Sequence, residues 1–160
     1  MTTIGIEIIM ENGGVMQGEL YPEIAPITVE NFLKLIDSNF FDGLIFHRVI
    51  PGFMIQGGGL DAKMNPKNTT EIKGEFASNG IKNDLLHTPG VLSMARTMVK
   101  DSASSQFFIM HETAPHLDGE YAGFGKITKG LEVVDQIANV VKDAQDCPLT
   151  PIVIKTIKRI

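Results

Sequence analysis

The most informative stretch of the chain runs Phe46-His-Arg-Val-Ile-Pro-Gly-Phe-Met-Ile-Gln-Gly-Gly58. It places one permanent cation, Arg48, near the large apolar side chains of Phe53 and Met54 and the neutral amide of Gln56. A Pro-Gly pair between them predicts a bend in the backbone. A cation, apolar side chains and an amide in this order favour a groove that binds peptide.

Working outward, a second stretch has the same character: Val91 to Arg96 is followed by Ser105-Gln-Phe-Phe-Ile109. Together the two stretches closely resemble the paired signatures of the cyclophilins, and Ser93-Met-Ala-Arg-Thr97 looks like the bacterial branch of that family. The resemblance covers essentially the whole chain and includes three further segments: Thr28-Val-Glu-Asn-Phe32, Leu117-Asp-Gly119 and Phe124-Gly-Lys126.

The resemblance implies a fold, an activity and a domain organisation. The fold is a closed eight-stranded antiparallel barrel capped by two α-helices, and the activity is peptidyl-prolyl cis-trans isomerisation that assists protein folding. A single domain over residues 1–160 and a monomer are expected, with no cofactor and no metal. The implied partners are proline-containing peptides and unfolded or flexible protein segments.

Composition agrees with one globular domain. The chain has 160 residues, 43% of them hydrophobic and 21% charged, which is enough to bury a core without disulfides or metal. The net charge of -5 argues against nucleic acid as the main ligand, because phosphate binding needs clustered Lys and Arg. Cys147 is the single cysteine, so no disulfide within the chain is expected. The N-terminus has no signal-peptide pattern, and we expect a cytoplasmic protein without a membrane segment.

Hydrophobic periodicity predicts mostly strands. Ile4, Ile6 and Ile8 alternate with other residues, and Met16, Gly18 and Leu20 continue the alternation after an Asn-Gly-Gly turn, which predicts an opening hairpin. Two stripes at helical spacing lie far apart in the chain. They are Val29, Phe32, Leu33 and Ile36 after Pro26, and Val134, Ile137, Ala138 and Val141 after Gly130.

The resemblance assigns the site residue by residue. Arg48 is the expected catalytic residue, and the expected substrate-binding residues are Phe53, Met54, Gln56, Ala95, Arg96, Gln106, Phe108, His116, Leu117 and Tyr121. Spacing supports part of this set, since Met54 with Gln56 and Gln106 with Phe108 are two apart and share a strand face. Phe53 points to the other face of a regular strand, so only the Pro-Gly bend or the resemblance brings it into the groove.

Other readings of the same residues stay open from the sequence. An isolated Arg in a strand is usually a surface ion-pair partner, and Phe and Met at period two are usually core. His47 belongs to the face opposite Arg48, and we expect a packed, hydrogen-bonded histidine. The histidines show no ligand spacing for a metal, and the Gly57-Gly-Gly59 run lacks the helix and lysine of a phosphate loop.

Three positions depart from the familiar eukaryotic pattern, and one of them is Tyr121, which matches a histidine common in the family. His116 stands where many eukaryotic cyclophilins have a tryptophan, which implies weakened cyclosporin affinity with isomerase activity largely retained. Arg96 replaces an asparagine and adds charge at the rim, which favours acidic residues near the substrate proline. Two other function classes remain: a module that binds peptide with incidental turnover, and a structural subunit of a larger assembly.

Overall fold

The computed structural model describes residues 2–160, so Met1 of the predicted domain lies outside the described range. Within that range the chain forms eight strands and two α-helices. The strands are β1 (Ile4–Met10), β2 (Val15–Leu20), β3 (Leu44–Ile50), β4 (Met54–Asp61), β5 (Val91–Met94), β6 (Phe107–Met110), β7 (Gly123–Lys129) and β8 (Ile154–Arg159); the helices are α1 (Pro26–Asp37) and α2 (Leu131–Ala138).

The strands form one sheet in the order β3-β4-β6-β5-β7-β2-β1-β8, and neighbouring strands are antiparallel. The two end strands meet through an antiparallel bridge between Ile45 and Val153. Two further backbone bonds join the same edges: Phe46 N–H donates to Ile152 O at 3.0 Å, and Gly43 N–H to Ile154 O at 2.9 Å. The predicted eight-stranded antiparallel barrel with two helices is therefore confirmed.

The predicted opening hairpin is present as β1 and β2. Ile4 pairs with Leu20 and Ile8 with Met16, so the alternating apolar side chains of both strands share the barrel interior. Gly13 in the connecting turn has φ +96°, a conformation that glycine adopts without steric cost.

The first predicted helix is confirmed, and the second is shorter than its stripe suggested. In α1 the four predicted apolar residues are buried, and Phe32 reaches the core. In α2 Val134, Ile137 and Ala138 are buried, but Val141 lies beyond the helix and is 73% exposed. The helix ends at Ala138, and its C-cap residue Asn139 donates its backbone N–H to Asp135 O at 3.2 Å and its side-chain amide to the same oxygen at 2.8 Å. Including Val141 in the stripe was wrong.

Strands β4 and β6 separate two apolar clusters. The larger cluster fills the barrel and includes Phe46 of β3, Ile55 of β4 and Phe107 of β6. A smaller cluster lies on the outer face of the same strands and consists of Met54, Val91, Phe108, Met110, Ala114 and Leu117. We call it the outer cluster. The candidate site is built on it.

Candidate active site

A β-bulge in β3 turns Arg48 toward the outer cluster. Phe46 pairs with Gly57 and Arg48 pairs with Gln56, so two residues of β3 advance against one of β4, and His47 is the extra residue. In a regular strand Phe46 and Arg48 share a face. Here Phe46 is fully buried in the barrel, whereas Arg48 is exposed on the other side. Gly57 permits the close approach of the strands, because a side chain at this position would place its Cβ only 2.5 Å from Ile45 O.

The guanidinium of Arg48 is held by amides rather than by a carboxylate. Its Nη1 donates to Gln56 Oε1 at 3.4 Å, and Gln56 Nε2 donates in turn to Gln106 Oε1 at 3.0 Å. Within residues 2–160 Arg48 makes no salt bridge. The surface ion-pair interpretation therefore does not describe Arg48 in this structure. Most N–H donors of its guanidinium make no hydrogen bond within residues 2–160, and Arg48 lines the pocket.

His47, the bulge residue, is only partly as expected. It is half-buried, but its Nδ1 has no hydrogen-bond partner within the described residues, so the prediction of a hydrogen-bonded ring is wrong for that atom. Burial and the neighbouring charge of Arg48 both lower the pKa of His47. Both effects favour the neutral imidazole over the charged one.

The Pro-Gly bend brings Phe53 into the groove ahead of β4. Gly52 has φ +81°, and Phe53 N–H donates to Ile50 O at 3.0 Å, so Phe53 lies in the turn and not in the strand. His111 supports this turn from behind. Its Nδ1 accepts the N–H of Gly52 at 2.8 Å, and its Nε2 bonds the carboxylate of Asp135 at 2.8 Å. Sequence reasoning missed the roles of His111 and Asp135, because they lie far apart in the chain.

Nine of the predicted site residues line one pocket of about 170 Å³. They are Arg48, Phe53, Met54, Gln56, Ala95, Arg96, Phe108, Leu117 and Tyr121. Met54 and Phe108 are also almost fully buried, at 2% and 5% exposure, so each belongs to an apolar cluster and also lines the pocket, and their role in binding substrate stays a prediction. The remaining two lie beside the pocket: Gln106 lines an adjoining cavity, and His116 lies in a wider groove with its ring centroid 5.8 Å from that of Phe53.

Behind the pocket floor lies a buried Ser-His-Asp chain. His87 Nε2 is 2.8 Å from Ser93 Oγ, and His87 Nδ1 is 3.0 Å from Asp118 Oδ1. Burial lowers the pKa of His87, although the bond to Asp118 raises it. Ser93 is 0% exposed, so it cannot attack a substrate, and the His87 ring instead stacks under Phe108 with centroids 6.0 Å apart. These three hydrogen-bonded side chains support the pocket floor and do not form a hydrolytic triad.

Arg96 does not project freely from the rim. Its guanidinium lies between two aromatic rings, 4.7 Å from the centroid of Phe76 and 4.7 Å from that of Tyr121. Its Nη2 and Nε donate to Glu120 O at 2.7 and 3.2 Å, and Nη1 donates to Thr97 O at 2.9 Å. Tyr121 then packs edge-on against Phe108. The side chain of Arg96 thus supports one wall of the pocket, and its preference for acidic substrate residues stays a prediction.

Neither a metal-binding cluster nor a membrane-spanning helix is found among residues 2–160. No group of three or more His, Cys, Asp or Glu side chains among residues 2–160 is arranged to hold a metal ion. In the same range, each helix is too short or too polar to cross a membrane.

Comparison with known proteins gives one family. The sequence model for the "Cyclophilin type peptidyl-prolyl cis-trans isomerase/CLD" family matches residues 6–159. A peptidyl-prolyl cis-trans isomerase of Acinetobacter baylyi is 46% identical over 157 residues, covering 92% of this chain and 81% of that protein. Peptidyl-prolyl cis-trans isomerase B of Bacillus subtilis is 47% identical over 131 residues, covering 82% and 88%.

A solved structure shares the fold over nearly its whole length. The cyclophilin-type isomerase of Cryptosporidium parvum is 30% identical, has a TM-score of 0.84, and is matched over 99% of this chain and 98% of its own. The match to the family model spans nearly the full barrel and includes the strands that carry the pocket. The chain therefore belongs to the cyclophilin-type peptidyl-prolyl cis-trans isomerases, a family of isomerase enzymes.

Proposed function

We propose that this protein accelerates rotation about Xaa-Pro bonds in the pocket beside Arg48, with Arg48 as the catalytic residue. The observation that carries the proposal is the position of an exposed guanidinium, without a carboxylate partner among residues 2–160, at the mouth of an apolar pocket. A solved relative, 31% identical to this chain, was crystallised in the presence of the dipeptide Ala-Pro. We extend that ligand class to this chain: proline-containing peptides and flexible protein segments.

The reaction needs no bond cleavage. Rotation crosses a barrier of about 18–20 kcal/mol, set by the partial double bond between carbonyl carbon and nitrogen. In the twisted state the nitrogen lone pair is localised, so it accepts a hydrogen bond that the planar amide cannot accept well. Arg48 has a fixed fork of donors and a permanent charge, and it stabilises the twisted state by donating to that nitrogen.

Arg48 supplies only part of the acceleration. A charge-assisted hydrogen bond contributes about 1.5–3 kcal/mol net, which corresponds to about a ten- to hundredfold change in rate. The apolar wall supplies another part, because a dry pocket disfavours the charge-separated planar amide more than the twisted one. Phe53, Met54, Phe108 and Leu117 grip the proline ring, so that the preceding carbonyl turns against a fixed partner.

The amides have a positioning role in this proposal. Gln56 lies opposite Arg48 on the neighbouring strand and is bonded to Gln106, so the pair limits the rotamers of the guanidinium. Gln56 and the backbone at Arg96 also hold the substrate chain, and Ala95 leaves room for it. His116 and Tyr121 complete the rim, and weakened cyclosporin affinity, a monomeric state and a cytoplasmic location remain predictions.

The test compares cis-to-trans rates of an Xaa-Pro peptide with the wild type, Arg48→Ala and Arg48→Lys. We expect kcat/KM to fall about ten- to hundredfold in Arg48→Ala, with little rescue by Lys because it lacks the planar fork. Lys155→Ala is the matched control, since Lys155 is an exposed cation on β8 outside the pocket.

Circular dichroism and urea unfolding establish that each variant is folded. Acceleration by the wild type that survives in Arg48→Ala would refute the catalytic role of Arg48. Peptide binding without acceleration by the folded wild type would refute the enzyme and leave a proline-binding module.

A further inference from the structure

The proline pocket opens into a wider groove. This groove has a volume of about 750 Å³ and shares Arg48, Phe53, Arg96, Leu117 and Tyr121 with the pocket. It adds four residues that the pocket does not contain: Thr97, Met98, His116 and Glu120. Because the two cavities share five residues, the groove offers one path for a peptide whose proline occupies the pocket.

Met98 is the most exposed large apolar residue of the described chain, at 95%. The loop that presents it is well bonded. Thr97 donates its backbone N–H and its Oγ1 to Ser102 Oγ, each at 2.9 Å, and Ser102 Oγ donates to Val99 O at 2.6 Å. The next turn is tied to a distant segment, where Asp101 accepts the N–H of Gly74 at 2.9 Å. Met98 is therefore held in solvent by an ordered backbone.

Arg96 joins the two sides of the groove. Its fork bonds Thr97 O on the Met98 side and Glu120 O on the opposite side. The same guanidinium packs on Tyr121, which also lines the groove. Arg96 thus links the backbone beside Met98 to the backbone of Glu120 on the opposite side of the groove.

We propose that Met98 is a specificity-determining residue: it contacts a large apolar side chain of the substrate that lies close to the proline. This inference rests on the proposed isomerase function. An apolar partner fits because an exposed methionine offers a flexible, polarisable thioether surface and no strong hydrogen-bonding group. Phe53 and Leu117 extend the apolar lining of the groove toward the pocket. An apolar side chain of the substrate would therefore lose water against Met98 and against these two residues.

The experiment uses matched peptides around one Ala-Pro bond. One pair carries Leu or Gln on the N-terminal side of that bond, and a second pair carries Leu or Gln on the C-terminal side. The kcat/KM of each peptide is measured with the wild type, Met98→Ser and Val99→Ser. Val99 is the matched control, because it is an apolar residue of the same loop that is 63% exposed but does not line the groove.

With the wild type we expect the Leu peptide of at least one pair to exceed its Gln partner by about three- to tenfold, since only part of one side chain is buried in an open groove. Met98→Ser should lower the rate on the Leu peptide more than the rate on the Gln peptide and so remove this ratio, and Val99→Ser should keep the ratio. Circular dichroism should show both variants folded, because neither side chain is in a core.

Equal rates on Leu and Gln peptides in both pairs would overturn the proposal, as would a Leu preference that survives in Met98→Ser. If the folded wild type accelerates none of the peptides, the proposed isomerase function fails separately. Leu and Gln peptide affinities, measured by NMR titration of the wild type and Met98→Ser, then decide the role of Met98 alone.

Discussion

The barrel interior and the outer cluster are built from the same strands but differ in closure. Along β6, Phe107 and Ile109 point into the barrel, whereas Phe108 and Met110 point outward. The barrel cluster is sealed by α1 and the surrounding strands. The outer cluster is covered only partly by the 114–121 segment, and it remains open at the pocket. Strand alternation therefore places a closed core on one face and an open pocket on the other.

Aromatic packing sharpens this difference. In the barrel, Phe107 meets Phe32, Phe41 and Phe46 edge-to-face, with centroids 5.3, 5.6 and 5.9 Å apart. In the outer cluster, Phe108 has Tyr121 on its edge and His87 on its face. The three ring neighbours of Phe107 are phenylalanines, whereas the two ring neighbours of Phe108, His87 and Tyr121, carry polar groups.

The largest effect should come from the barrel. We expect Phe107→Ala to lower the free energy of unfolding by about 3–5 kcal/mol, because it removes a fully buried ring and leaves a closed cavity. The measurement is urea unfolding followed by circular dichroism.

Phe108→Ala is the matched control one residue away. The space that the Phe108 ring leaves opens to the pocket. The Phe108→Ala variant should therefore lose less stability than Phe107→Ala, and its kcat/KM should fall. Equal losses of stability in the two variants would break the distinction between the two faces.

An intermediate effect should come from the support of the outer cluster. Arg96→Met loses two cation-π contacts and the bonds to Thr97 O and Glu120 O, so we expect a stability loss of about 1–2 kcal/mol and a higher KM. Peptide kinetics and urea unfolding measure the two effects.

Arg96→Lys separates charge from geometry. Lysine keeps the charge but loses the planar fork, so it should restore little of the KM. If Lys restores KM fully, charge at the rim and not the geometry of the fork is what matters, which is the acidic-substrate hypothesis for Arg96.

The smallest effect concerns pH. The pKa of His47 is lowered from 6.5 by burial and by Arg48, and the pKa of His87 is lowered chiefly by burial. The unfolded chain then binds more protons than the folded chain as pH falls through about 6.5, so the free energy of unfolding should fall as pH falls.

Urea unfolding between pH of about 7.5 and 5.5 measures this slope. His47→Gln should reduce the slope without removing it, because His87 still titrates. An unchanged slope in His47→Gln would contradict the assignment to His47.

Much of the fold follows from local patterns in the sequence. The period-two alternation of Ile4, Ile6 and Ile8 predicted β1, and the stripe through Phe32 predicted α1, since burial of one face is a local requirement. The end of α2 was missed because the apolar stripe continues to Val141, whereas the helix ends at Ala138 with Asn139 as its C-cap. Hydrophobic spacing does not report caps of this kind.

The identity of most pocket residues could be predicted from the sequence, but the direction in which their side chains point could not. Resemblance and spacing named Arg48, Gln56 and Phe108, yet regular alternation places Arg48 on the same face as Phe46. The supporting residues His111 and Asp135 carried no local signal, because their bonds join positions 24 residues apart.

The sequence by itself determined the strand and helix pattern, the family and the residue types that suit an isomerase pocket, because these depend on periodicity and local motifs. Only the tertiary structure decided which way those residues point. The bulge at His47 depends on the pairing of β3 with β4, which turns Arg48 outward. The exposure of Met98 and the bridging role of Arg96 depend on contacts between distant segments, and such contacts exist only once the barrel has closed.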